Sequence, residues 1–140
     1  MSLRGVLSPL FVLCAGWFSL TGTVNAQQFR PFTDPRITEA QWQTYYSEVS
    51  TKFAKTLRDL DTENLQLFFN EATFVTYSFT KPGHPAHPAW ITRLVVAAGE
   101  KVTVSQHGYY AGSESEFEKF SDSYKALNER LKNSLSANPK

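Results

Sequence analysis

The sequence predicts an α+β domain in which an antiparallel sheet of three to four strands is flanked by an N-terminal and a C-terminal helix packed on one face. Three observations carry this expectation. Apolar residues recur at three- and four-residue steps from Trp42 to Leu60 and again from Phe117 to Leu135. Between these stretches lie segments rich in β-branched and aromatic residues that alternate with period two. The order helix, strands, helix places two apolar stripes beside one sheet, and a sheet face is the surface that would bury them.

Residues 1–26 are set apart from this fold. Arg4 is a short positive start, LFVLCAGWFSL an apolar run, and Val24-Asn25-Ala26 ends in small residues. That order predicts a secretory signal peptide cleaved between Ala26 and Gln27. The apolar run is too short for the roughly 20 residues a membrane span needs. Leu13, just before Cys14, stands where a lipoprotein signal would carry a small residue. The expected location is outside the cytoplasm, periplasmic or extracellular, with no membrane insertion after cleavage.

Cleavage would remove Met1 and Cys14, the chain's single methionine and single cysteine. The remaining chain could form no disulfide and offer no soft sulfur ligand or cysteine nucleophile. Arg4 is the leader's one charge, so 14 basic residues become 13 against 13 acidic ones. A balanced chain argues against a nucleic-acid binder and against an electrostatic membrane binder, both of which need a basic excess.

Residues 27–37 contain Pro31 and Pro35 without a sustained period, predicting an extended lead-in to a single domain at 38–135. Thr38-Glu39-Ala40-Gln41 reads as a capping box, with Ile37 and Trp42 as its hydrophobic staple. Leu65 to Phe69 fits either a strand or a short helix begun at Asp61. Ala72 to Thr80, Trp90 to Ala97 and Lys101 to Tyr110 read as strands, the last two joined at Gly99-Glu100 by a type II′ turn. Ser113 to Glu116 offers a second capping box for the last helix, and residues 136–140 should fray.

The hairpin turn fixes a register. Val95 faces Val104, Ala97 faces Val102 and Ile91 faces Gly108, an apolar side expected under the helices. The opposite side sets Thr92 against His107 and Trp90 against Tyr109, and is expected to stay open. Scattered surface aromatics are common, but Trp, Tyr and a few polar groups are also the usual contact chemistry of binding surfaces.

The stretch TKPGHPAHPAW, Thr80 to Trp90, places Pro82, Pro85 and Pro88 three residues apart, with Lys81, His84, His87 and Trp90 in the same period. Each His precedes a Pro, which disfavours helical angles and suggests polyproline II. There His84 and His87 would stand about 9 Å apart at a rise of ~3.1 Å per residue, too far for one ion with metal–nitrogen bonds of about 2 Å. The loop then reads as a stiff connector or as a docking ridge.

No nucleophile elbow, phosphate loop or dinucleotide fingerprint is present. The expectation is therefore an exported, non-catalytic binding or accessory protein that recognises a protein partner or small ligand, with no cofactor and no metal. Its candidate contact residues are Lys81, His84, His87, Trp90, Thr92, His107 and Tyr109. The alternative is a small secreted hydrolase or metal-dependent protein using His107 with His84 and His87.

Overall fold

A computed structural model describes residues 29–136; the expected leader and residues 137–140 lie outside them. Helix α1 spans Glu39–Lys52 and a 3-10 turn follows at Ala54–Thr56. Strands β1 (Arg58–Leu60), β2 (Leu65–Asn70), β3 (Val75–Thr80), β4 (Ala89–Ala98) and β5 (Lys101–Tyr110) lead to helix α2 (Glu114–Ser136). The five strands form one antiparallel sheet in chain order.

The α+β class stands, but the sheet has five strands rather than three to four. Residues 65–69 belong to a strand, which settles the strand-or-helix alternative. The additional strand is β1, Arg58–Leu60, which corrects the expectation that the apolar stripe from Trp42 runs on in one helix to Leu60: the helix ends at Lys52, and Leu57 is exposed rather than on a buried helix face.

Local signals act where expected. Gln41 N donates to Thr38 Oγ1 at 3.1 Å and Thr38 N to Gln41 Oε1 at 2.9 Å, closing the capping box. At α2 half of the second box forms: Glu116 N donates to Ser113 Oγ at 3.4 Å, while the Glu116 carboxylate takes Lys119 Nζ instead. The β4–β5 register is the expected one throughout, from Ala98↔Lys101 to Trp90↔Tyr109. Gly99 has φ 62° and Glu100 does not share the positive sign, as a type II′ turn requires.

The two helices touch opposite sides of the sheet, which corrects the expectation of one shared face. Adjacent residues of a strand point to opposite faces. On the Trp90 side, Tyr45 of α1 stacks on Trp90 with ring centroids 4.5 Å apart. On the Ile91 side, Tyr110 stacks on Phe117 of α2, and Phe120 and Tyr124 share a core cluster with Ile91. Strand β3 and the first half of β4 therefore bury both faces. This explains the unbroken burial from Tyr77 to Thr80 in β3.

The side expected to stay open is a core. Trp90 and Thr92 are 0 % exposed and Tyr109 3 %. Besides α1, the lead-in closes this face: Phe32 packs edge-on to Trp90 and Tyr109, and Phe29 meets His107 at 4.8 Å. The lead-in is held by Tyr110 N donating to Pro35 O and Ile37 N to Tyr110 O, both at 2.9 Å.

Candidate functional site

The Pro/His stretch is neither polyproline II nor an extended ridge. His84 N donates to Lys81 O and His87 N to His84 O, both at 3.0 Å, giving two consecutive turns. Pro82 and Gly83 (φ 100°) occupy the central positions of the first turn, a pairing suited to type II. The second turn leads into the cis His87–Pro88 bond. The repeated proline spacing therefore marks repeated turns, because Gly83 supplies the positive φ that polyproline II lacks.

The turns send the two histidines to different sides of the molecule. His84 lies edge-on to Phe120 of α2 at 4.8 Å, and His87 lies edge-on to Trp42 of α1 at 5.1 Å. His84 Nδ1 accepts from Ala86 N at 3.0 Å, locking its ring to its own turn. His107, facing Phe29, is held by a third set of contacts.

His87 is fixed by Thr80. The Thr80 hydroxyl donates to Ala89 O at 3.0 Å and accepts from Ala89 N at 2.9 Å. Its proton being committed, and the Thr80 carbonyl being able only to accept, His87 Nδ1 must be the donor, at 2.9 Å from Thr80 Oγ1 and 3.1 Å from Thr80 O. That leaves Nε2 with its lone pair. Burial lowers the pKa of His87 against the opposing pull of the Thr80 carbonyl and of Glu39. The ring is thus a neutral acceptor at pH 7.

Beside His87 opens a cleft of about 400 Å³ lined by Trp42, Gln43, Tyr46, Gln66, Thr80, Lys81, Pro82 and His87. Its aromatic wall is Trp42 stacked on Tyr46, with centroids 5.2 Å apart and planes 3° from parallel. Its polar side is one connected chain. Tyr46 Oη donates to Gln66 Oε1 at 2.6 Å, and Gln66 Nε2 donates to Asp59 Oδ2 at 3.3 Å. Lys81 Nζ completes it, donating to Asp59 Oδ1 and to Asp61 Oδ1 at 2.6 Å. The hydrogen bond from Lys81 holds the Asp59 carboxyl below the usual aspartate range, and the same contact holds the Lys81 ammonium above its own. Trp42 Nε1 is buried with no hydrogen-bond acceptor among the described residues.

Of the seven residues expected to make contacts, Lys81 and His87 line this cleft, His84 packs on the far side of the sheet, and His107 is half-buried under Phe29. Trp90, Thr92 and Tyr109 are core residues: Trp90 Nε1 donates to Thr92 Oγ1 at 3.1 Å and Tyr109 Oη to Phe32 O at 3.1 Å. Sequence reasoning missed Trp42, Tyr46, Gln66 and Asp59. The i, i+4 spacing of Trp42 and Tyr46 on α1 was the available signal, and it was absorbed into the apolar stripe.

No family model, curated protein or solved structure significantly matches this chain. The functional reading therefore rests on the cleft itself. Among the described residues no group of three His, Cys, Asp or Glu side chains converges as a metal site. No helix there is long and apolar enough to cross a membrane.

Proposed function

We propose that this is an exported, non-catalytic binding protein whose site is the cleft between α1 and the Pro/His turns, taking a small polar molecule. The observation that carries this reading is the Tyr46–Gln66–Asp59–Lys81 chain along one side of a cleft walled by Trp42 and Tyr46. Ligand sites combine apolar walls with a few oriented polar groups, and here each polar group is oriented by its neighbour before any ligand arrives. The ligand class that fits has an apolar or ring face beside hydroxyl or amide donors. The face would lie along Tyr46, a donor would reach the His87 lone pair, and an acceptor would meet Gln66 or Lys81.

Calorimetric titration and thermal shift against monosaccharides, free amino acids and short peptides test this. A ligand found this way should bind about tenfold more weakly to Tyr46→Phe, roughly the loss of one net hydrogen bond, because Gln66 loses its orienting partner. Silence across the panel, or binding unchanged in both Gln66→Leu and His87→Asn, would overturn the assignment. Export has its own readout: mass spectrometry of protein recovered outside the cytoplasm should find Gln27 as the first residue.

A further inference from the structure

At the end of the sheet away from the Pro/His turns, three basic side chains and two exposed apolar ones gather around Phe69. Thr56 builds this patch. Its hydroxyl donates to Phe53 O at 2.8 Å and accepts from Phe69 N at 2.9 Å, pinning the 3-10 turn to the end of β2. Lys55, Leu57, Arg58, Phe69 and Thr76 then line one shallow cavity of about 490 Å³, with Glu71 as its one acid. Lys52 and Lys55 line a second, of about 550 Å³, which shares Phe69 and Glu71. Lys52, Lys55 and Arg58 are all exposed.

Two features separate this patch from ordinary surface. Phe74, in the β2–β3 turn, is 63 % exposed and has φ 57°, a conformation that turns usually give to Gly or Asn. Its ring is 6.5 Å from that of Phe69, and Leu57 beside it is 45 % exposed. The cations are also free of carboxylates, although Lys52 Nζ lies over the Phe53 ring, 5.5 Å from its centroid. Lys81, Lys119, Lys125 and Lys132 each hold a carboxylate, whereas Lys52, Lys55 and Arg58 hold none among the described residues. The overall charge balance conceals this local excess.

We propose that this end of the molecule docks peripherally on an anionic lipid surface. Three cations that hold no carboxylate, with Glu71 the single acid lining the two cavities, complement an anionic partner. The apolar groups choose among anionic partners: Phe74 stands on a turn tip and Leu57 on a rim, so neither is enclosed as a peptide anchor pocket would enclose it. A planar interface satisfies both kinds of group at once, with rings at the acyl boundary and Lys and Arg among the headgroups.

Co-sedimentation of the purified protein with phosphatidylcholine vesicles, with and without phosphatidylglycerol, tests this. Binding is expected with phosphatidylglycerol alone. Lys55→Gln combined with Arg58→Gln should weaken it roughly 30-fold, from about 1 kcal/mol per basic residue near an anionic surface. Phe74→Asn should weaken it several-fold while keeping the turn, since Asn accepts positive φ. Lys119→Gln with Lys125→Gln, the same charge change on α2, should leave binding unchanged. Equal partition of the wild type to both vesicle types overturns the proposal, and so does binding that ignores the Lys55, Arg58 and Phe74 changes. A soluble polyglutamate peptide that binds the patch when vesicles do not would make it a protein-docking surface and overturn the lipid assignment.

Discussion

His87 meets Trp42 edge-on, with ring centroids 5.1 Å apart, while His84, three residues earlier, meets Phe120 across the sheet. One short segment therefore ties both helices to the sheet end. It also aligns the polar and aromatic walls of the cleft, since His87 and Lys81 flank the two turns.

Truncating Trp90 should damage the fold. The ring is fully buried among Tyr45, Phe79 and Tyr109. Trp90→Ala is expected to cost about 3–5 kcal/mol, comparable with Phe120→Ala on the other face. Chemical denaturation of both variants checks this. A Trp90→Ala protein as stable as the wild type would mean the face under α1 is open.

Why the sequence misassigned that face is visible in particular residues. Thr92, Ser105 and His107 gave it a polar appearance, and a mixed face reads as half-exposed. Yet Thr92 accepts the Trp90 indole N–H and His107 sits under Phe29, so the polar groups are covered. Helix α2, the capped start of α1 and the hairpin register were legible because each is a local pattern, whereas the stripe read through to Leu60 overran α1, which ends at Lys52. The side of the sheet a helix covers depends on chain paths that no local pattern encodes, as does the cleft, whose walls come from α1, β2 and the turns. Asn128 shows the same limit: it interrupts the α2 stripe, yet is buried because it accepts from Arg93 and donates to Gln106.

The three histidines should make the fold acid-sensitive. Burial lowers the pKa of His84, His87 and His107 below the ordinary 6.5. In the window just below 6.5 the unfolded chain binds more protons than the folded one, so stability falls as pH falls through it. Melting temperatures measured from pH 7.5 downward should decline across this range, and His87→Gln should flatten the decline. A melting temperature rising on acidification would contradict the burial of these rings.

Asp59 gives a second, separate acid transition. Its carboxyl is held below the ordinary 3.8 by Lys81 and then by Gln66. This stabilisation is present above 3.8 and is lost as pH drops through the lowered value. Carbon-detected NMR titration should find Asp59 titrating below a typical aspartate, and Lys81→Gln should return it toward the ordinary value. An unchanged Asp59 in that variant would show that the Lys81 contact does not persist in solution.

Gly83 and Gly108 should both resist substitution by alanine, for different reasons. Gly83 has φ 100°, and a Cβ there would meet nothing closer than Asn64 at 3.7 Å, so the penalty is backbone conformation alone, on the order of 1–2 kcal/mol. At Gly108 a Cβ would fall 2.6 Å from Phe117 Cζ and 2.7 Å from Ile91 Cδ1. The penalty there is overpacking between β5 and α2, about 1–3 kcal/mol. Making room separates the two causes. Phe117→Leu should offset much of the loss in Gly108→Ala and none of the loss in Gly83→Ala, as read from a double-mutant cycle in denaturant. Additive losses for Gly108→Ala with Phe117→Leu would mean that α2 does not press on β5 at this point.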